Sequence, residues 1–226
     1  KEAILIPEIK TRIARTRKHR LESPDAGTNE LSKRSHQFRD RNTARESQLL
    51  VPRVSSEARP YIPCGYFGND TIISDAAQVV YDAEPLMFAI INSRMHMVWV
   101  RAVGGKLETR YRYSKDICYN TFPFPDITLK QKENLNLYVF AILDERAKHP
   151  EKKMAQLYDP DKMPKGLKQA HEELDRAVEQ CYRLQPFTSD TERLEYLFKL
   201  YEEMTKSGTL FEKQKKTRKT TAKKKK

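Results

Sequence analysis

The sequence predicts an α+β protein in which a mixed α/β domain is followed by a small α-helical bundle and a disordered basic tail. Short β-branched and aromatic runs separated by turn residues fill the middle of the chain, which favours strands there. After Asp126 the apolar residues recur at helical spacing. The final stretch, Lys213 to Lys226, holds eight lysines, one arginine and no acid, a low-complexity composition that builds no core.

The net charge of +12 is unevenly distributed. Without the C-terminal stretch the chain carries only +3, and Pro60 to Pro125 is neutral, with six basic and six acidic residues. Positive charge therefore lies at the two ends, and total charge alone does not support nucleic-acid binding.

Three cysteines, Cys64, Cys118 and Cys181, lie far apart without metal-ligand spacing, which is typical of the reducing cytoplasm. No apolar run reaches the roughly 18 residues that a membrane span requires. The chain starts at Lys1 without an initiator Met or signal sequence. We therefore expect a cytoplasmic fragment of a longer protein, with no membrane contact.

Residues 1–21 predict a basic helix, because apolar residues at helical spacing are followed by several arginines and lysines. The helix is either a solvated connector or a segment that lies along a phosphate backbone. Residues 22–48 are polar and are expected to form a long loop.

The next part, to residue 125, predicts strands, one buried helix and a final strand. The helix runs from Pro85 toward Arg101, and alternation from Leu107 to Tyr113 favours a strand with Glu108, Arg110 and Arg112 on one face. The earlier strands are expected at Leu49–Val54, Tyr61–Pro63 and Ala76–Tyr81.

Residues 126–212 predict three amphipathic helices. Thr128 with Gln131 forms a capping box for the first, which ends before His149. Pro164 opens the second helix. Ser189 with Glu192 caps the third, which is expected to stop at Gly208 before the tail of residues 213–226.

No catalytic motif is present. The segment Gly65 to Asp70 has two glycines and no following helix, so it is expected to be a turn instead of a phosphate loop. Asn120–Pro123 does not replace the Asn-Pro-Pro-aromatic motif that holds a flipped adenine. His96 and His171 are isolated, which favours structural histidines over metal ligands.

Glu151 and Lys153 match half of a metal-dependent nuclease motif, with Asp144 upstream. These residues lie at a helix end, so their carboxylates would not converge on a divalent ion. We therefore predict no catalytic and no metal-binding residue.

The segment from Glu108 to Arg112 is the best candidate for binding. Arginine can bind guanine O6 and N7, and glutamate can accept a hydrogen bond from cytosine N4, so Glu108 and Arg110 together could contact both bases of one pair. The alternative is an exposed strand with an ion pair of little energetic value. The local pattern leaves both possibilities open.

Long unbroken motifs lie between about Val51 and Tyr201. They include Val51-Pro52-x-Val54-Ser55-Ser56-Glu57, Tyr61-Ile62-Pro63, Thr71-Ile72-Ile73-Ser74, Met95 to Gly105, Tyr111-Arg112-Tyr113-Ser114, Tyr119 to Pro125, and Leu157-Tyr158-Asp159-Pro160. In these motifs the chain resembles the MmeI-like family of single-chain restriction-modification enzymes (type IIL/IIG).

The resemblance implies that residues 1–21 connect to a methyltransferase core outside this chain, residues 22–125 recognise the DNA target, and residues 126–212 form the C-terminal helical domain. The family's base-contacting positions fall on Arg53, Asp75, Ala76, Glu108, Arg110 and Arg112. Ala76 offers only a methyl contact or space for a partner side chain. Phosphate contacts are expected from Arg12, Arg15, Arg17, Lys18, Arg101 and Lys106.

The resulting hypothesis is sequence-specific recognition of double-stranded DNA for an adenine-N6 methyltransferase and endonuclease. S-adenosylmethionine and Mg²⁺ are expected in the missing domains. The alternative is an interaction subunit that joins a separate methyltransferase through its helices, with mainly electrostatic DNA contact.

Overall fold

The computed structural model describes residues 2–206 and confirms the predicted α+β class. The chain divides into two compact units, Lys1–Thr43 and Ala44–Lys226. The expected helix stop at Gly208 and the tail of residues 213–226 lie outside the described residues.

The first unit contains the basic helix predicted from the sequence. A 3-10 turn at Glu2–Leu5 precedes helix α1 (Pro7–Leu21), which begins with proline in its first turn. The loop expected from residue 22 is wrong in part, because α2 (Ala26–Glu30) and a 3-10 turn (Leu31–Arg34) follow.

Arg20 organises the return of the chain in this unit. Its guanidinium donates hydrogen bonds to the carbonyl oxygens of Leu31 at 2.9 Å, Arg34 at 3.0 Å and Gln37 at 2.9 Å. These three charge-assisted hydrogen bonds hold residues 31–37 against α1, in a unit that has few large apolar residues to form a core.

Between residues 44 and 206, the second unit has six strands in two antiparallel sheets with the orders β3-β1-β4 and β2-β6-β5. In chain order they are β1 (Ser47–Pro52), β2 (Val54–Ser55), β3 (Gly65–Gly68), β4 (Ala77–Tyr81), β5 (Gly105–Leu107) and β6 (Arg110–Arg112). Only Arg53 separates β1 from β2, so this residue joins the two sheets.

The turn predicted from Gly65 is wrong, because Gly65–Gly68 forms strand β3 and pairs with β1. Two of the predicted strands are also wrong. Tyr61–Pro63 is a loop whose Tyr61 and Ile62 side chains are buried in the core. The single strand expected from Leu107 to Tyr113 is a hairpin, in which Glu108 and Thr109 form the turn between β5 and β6.

The single helix expected from Pro85 is also wrong. It is two helices, α3 (Pro85–Ile91) and α4 (Arg94–Val103). Ser93 caps α4, because its hydroxyl accepts a hydrogen bond from the His96 N–H at 3.2 Å. The hydroxyl also donates to the Ile90 carbonyl at 2.7 Å, which satisfies the buried end of α3.

A short π-helical turn at Lys115–Tyr119 leads from the hairpin to the C-terminal helices. These are α5 (Leu129–Ala147), α6 (Met154–Leu157), α7 (Lys165–Tyr182) and α8 (Asp190–Lys206), at the places the sequence predicts for its three long helices. Helix α5 packs on α7 and α3, and α8 packs on α4. The helices and the sheets therefore share one hydrophobic core, whose largest fully buried side chains include Trp99, Tyr158, Phe88 and Phe122.

The capping box at the start of α5 is confirmed. Gln131 N–H donates to the Thr128 hydroxyl at 3.3 Å, and Thr128 N–H donates to the Gln131 side-chain oxygen at 2.9 Å. Replacing Thr128 by alanine is expected to lower the free energy of unfolding by about 1 kcal/mol, measured by urea denaturation. Thr128→Ser keeps the hydroxyl and should retain most of the stability; equal losses in both variants would contradict the cap.

Among residues 2–206, no helix has the length and apolar character needed to cross a membrane.

Candidate nucleic-acid interface

Arg53 lies at the centre of the candidate surface because its peptide group bonds to two distant segments. Its N–H donates to the Ala76 carbonyl at 3.3 Å, and its carbonyl accepts from the Tyr113 N–H at 2.7 Å. Neighbouring strands lie about 4.8 Å apart. Ala76, Arg53 and Tyr113 therefore lie side by side on three backbone segments. Asp75 precedes Ala76 and Arg112 precedes Tyr113, so both are close to Arg53.

The hairpin places Arg110 and Arg112 on one face. Gly105 pairs with Arg112, Lys106 with Tyr111 and Leu107 with Arg110. Because alternate residues of a strand share a face, the two arginines lie together, whereas Tyr111 and Lys106 lie on the opposite face. The Tyr111 partner in β2, Ser55, is buried, so that opposite face is directed toward the core near β2.

Glu108 reaches the same site from the turn and not from the strand face predicted for it. Its backbone has a positive φ of 60°, a left-handed conformation that residues other than glycine, asparagine and aspartate rarely adopt. Its carboxylate accepts a hydrogen bond from the Arg110 guanidinium at 2.8 Å, and the side chains are 74% and 45% exposed, respectively. Such an exposed ion pair contributes at most about 1 kcal/mol to stability, so Glu108 and Arg110 do little to hold the hairpin together.

The guanidinium groups of Arg53 and Arg112 are less engaged than that of Arg110. Neither forms a side-chain hydrogen bond or ion pair with any residue in the range 2–206. Both line a surface depression of about 270 Å³. Five donors on each guanidinium thus remain available at a concave surface.

Buried polar residues hold this row against the helices. The Tyr113 hydroxyl lies 2.9 Å from His96 Nε2 on α4. Burial lowers the pKa of His96 to about 3, so the imidazole is neutral at physiological pH. His171 has a similar role, with Nε2 at 2.8 Å from the Tyr158 hydroxyl. Both histidines are structural, as the sequence predicts.

Two of the predicted phosphate contacts lie in the second unit. Arg101 is 34% exposed and pairs with Asp190 at 3.5 Å, which joins α4 to α8. Lys106 is exposed on β5. The side chain of Arg101 is therefore already committed to an intramolecular ion pair, and its contact with phosphate stays a prediction, as does that of Lys106.

The other predicted phosphate contacts lie on α1 and are exposed. Arg12, Arg15 and Lys18 follow at three-residue spacing and occupy one side of the helix, whereas Arg17 lies on another. Lys18 is also 3.8 Å from Glu22, an exposed contact of little energetic value. The three aligned residues can follow one phosphate strand together, and their role stays a prediction.

In the part of the chain that the structure describes, no three His, Cys, Asp or Glu side chains converge to hold a metal ion. Asp144 and Glu151 belong to this part. The half nuclease motif at Glu151 and Lys153 therefore has no cluster of acidic ligands around it.

Comparison with known proteins identifies the fold. Residues 1–126 match the family described as MmeI, target recognition domain, and residues 127–209 match MmeI, C-terminal domain. The chain belongs to the MmeI family. The resemblance drawn from the sequence motifs is thereby confirmed.

Two known proteins are similar to most of this chain. DNA methyltransferase A of Bacillus subtilis (strain 168) is 48% identical over 199 residues, which are 88% of this chain and 22% of the relative. A solved structure of the Type IIL restriction-modification enzyme MmeI in complex with DNA has a TM-score of 0.84 and 38% identity, and the match covers 88% of this chain and 27% of that one. The chain thus spans about a quarter or less of these relatives.

Gln78 is not among the residues that the sequence predicts to contact DNA, but it lines the same depression as Arg53 and Arg112. The one signal in the sequence is that Gln78 is the single amide within the otherwise apolar run Ala76–Tyr81, which predicts a strand.

Proposed function

We propose that this MmeI-family chain recognises a short sequence in double-stranded DNA. The observation that carries the proposal is the row of Ala76, Arg53 and Tyr113, beside which Arg53 and Arg112 line one depression, with the Glu108–Arg110 pair at the tip of the adjoining hairpin. The match to MmeI in complex with DNA supports the same use of this fold.

The side chains in this row suit direct contact with bases. Arginine donates two hydrogen bonds to guanine O6 and N7 in the major groove, and glutamate accepts one from cytosine N4. A two-stranded hairpin is narrow enough to enter that groove. Arg53, Arg110 and Arg112 would then contact guanines, with Glu108 on a cytosine, while Asp75 and Ala76 contact neighbouring bases.

Affinity without sequence preference would come from other residues. The exposed positive side chains of α1 and the lysines from Lys213 onward would interact with phosphates, which contribute salt-dependent affinity but do not select a sequence. This division fits the neutral charge of residues 60–125.

The proposal extends to a longer polypeptide. There, a methyltransferase core would transfer a methyl group from S-adenosylmethionine to adenine N6, and a nuclease part would require Mg²⁺. This chain would position both on the target sequence. The names of the relatives, a DNA methyltransferase and a restriction-modification enzyme, support this role.

A second candidate is an interaction subunit for a separate methyltransferase. One observation favours it: Leu137 and Phe140 lie three residues apart on α5 and are 68% and 52% exposed. Neighbouring exposed apolar side chains on one helix face are typical of a protein contact. In that case, DNA contact by this chain would be mainly electrostatic.

Selection from a randomised duplex pool separates the two functions. The full chain and a variant ending at Glu212 are expected to enrich the same short motif, with the shorter variant showing a shallower dependence of affinity on salt, because it lacks nine positive charges. Enrichment of no motif, together with a steep salt dependence that disappears with the tail, would contradict sequence-specific recognition and favour the interaction subunit.

A further inference from the structure

Gln78 shares one surface depression with Arg53 and Arg112. The depression has a volume of about 270 Å³, and its wall is completed by Gly105, Tyr113, Ser114 and Ile117. Gln78 pairs with Val51 in the antiparallel sheet, two residues along the strand from Ala76, whose carbonyl bonds to Arg53. The amide is therefore placed beside the row proposed to contact DNA.

The side-chain amide of Gln78 forms no hydrogen bond with any residue in the range 2–206, and although the residue is half buried, its amide atoms remain accessible to solvent. A neighbouring cavity of about 370 Å³, to which Gln78 also contributes, is lined largely by valine, isoleucine and tyrosine side chains. The side chains of this apolar cavity give the amide of Gln78 few hydrogen-bond partners. Its donors and its acceptor are free for a ligand at the surface.

Gln48, a glutamine on the adjacent strand, shows how this protein uses a structural amide. Gln48 is 1% exposed, and its amide nitrogen donates to the carbonyl oxygens of Gly68 at 2.9 Å and Thr71 at 2.5 Å. Gln78 forms no comparable contact. The two residues stand on neighbouring strands of one sheet, so local backbone structure does not account for the difference.

The chemistry of the amide selects one base. A carboxamide presents a donor and an acceptor side by side, which matches the N7 acceptor and the N6 amino donor of adenine in the major groove. The flanking guanidinium groups of Arg53 and Arg112 match guanine instead. A neutral amide in the same depression as two cations adds selectivity without adding to the local positive charge.

We propose that Gln78 is a further specificity-determining residue, whose carboxamide binds the adenine of an A·T pair next to the base pairs contacted by Arg53 and Arg112. The inference rests on the proposed DNA recognition. It adds one base to the recognised sequence and one residue to the set that contacts bases.

The test compares motifs selected from the randomised duplex pool by the full chain and by Gln78→Ala, Gln78→Glu and Gln169→Ala variants. Gln78→Ala is expected to reduce the preference for adenine at one position about 5- to 150-fold, which corresponds to the 1–3 kcal/mol of a bidentate contact, and to leave the other positions unchanged. Gln78→Glu should shift that position toward cytosine, because a carboxylate accepts from cytosine N4 and repels adenine N7. Gln169, which bonds to Glu173 on α7, is the matched control and should change no position.

The outcomes distinguish this inference from the proposed function. If the wild-type chain enriches no motif, the proposed DNA recognition fails. If it enriches a motif and Gln78→Ala changes none of its positions, Gln78 does not contact a base. If Gln78→Ala weakens all positions equally and lowers thermal stability, Gln78 has only a structural role. A change at a position that holds no A·T pair would also overturn the assignment to adenine.

Discussion

Replacing Asp175 by alanine is expected to lower the free energy of unfolding by about 2–4 kcal/mol. Asp175 on α7 is almost fully buried and accepts two hydrogen bonds, from the Tyr61 hydroxyl at 2.7 Å and from the Arg94 N–H at 2.6 Å. Alanine would leave both donors buried without a partner. The loss would loosen the loop around Tyr61 and the first turn of α4, and chemical denaturation would measure it.

The same carboxyl makes stability depend on pH. Burial raises the pKa of Asp175 from 3.8 to about 7, against the opposing effect of its two hydrogen bonds. The folded protein therefore holds a proton that the unfolded chain releases. The stability that Asp175 contributes is fully present below 3.8, the pKa of this carboxyl in the unfolded chain. It is lost as the pH rises through about 7, the pKa in the folded protein.

An Asp175→Asn variant isolates this effect, because asparagine does not titrate. The stability of the wild type relative to this variant is expected to fall by roughly 1–3 kcal/mol between pH 5 and pH 8. Burial also lowers the pKa values of His96 and His171, which costs stability as pH falls below 6.5. That cost is common to both proteins and cancels in the difference. A difference that does not change with pH would mean that Asp175 is ionised throughout.

The C-terminal helices were predictable because their signals are local. Thr128 with Gln131 and Ser189 with Glu192 mark helix starts within one turn, and both sets of contacts are observed. Apolar spacing then follows each cap for four or five turns. Such patterns need no knowledge of distant parts of the chain.

The errors occurred where local patterns do not determine the structure. Tyr61 and Ile62 are apolar and buried in a loop, and nothing nearby in sequence shows that they lack a partner strand. The break at Ser93 lies inside an almost entirely buried apolar run, in which periodicity has no exposed face to reveal it. The hairpin turn at Glu108 lacks the glycine or asparagine that usually provides a positive φ.

The candidate surface was predictable as a set of residues but not as an arrangement. Family motifs indicated Arg53, Ala76 and Arg112. Their proximity depends on the two backbone hydrogen bonds of Arg53 to segments far along the chain. Gln78 emerged only from this arrangement, because its importance comes from its neighbours and not from its own sequence context.

Exchanging Glu108 and Arg110, as Glu108→Arg with Arg110→Glu, is expected to invert one base pair in the recognised sequence. The exchange keeps net charge, and therefore affinity for phosphates, unchanged. It moves the donor to the turn and the acceptor to β6, so cytosine and guanine should trade places at that position. Glutamate and arginine both have a Cβ, so the positive φ of 60° at residue 108 costs a similar free energy in the wild type and in the exchanged variant.

The preference of the exchanged variant for the inverted pair should reach about 1–3 kcal/mol, measured by competition between two duplexes that differ only there. Glu30 and Lys33 form another exposed pair, 2.7 Å apart in the first unit, and the corresponding exchange at these residues should leave the motif unchanged. Equal weakening on both duplexes, or unfolding, would show that Glu108 and Arg110 support the hairpin without contacting bases. An inverted preference instead requires that the pair seen in the free protein separates, because each group then binds its own base.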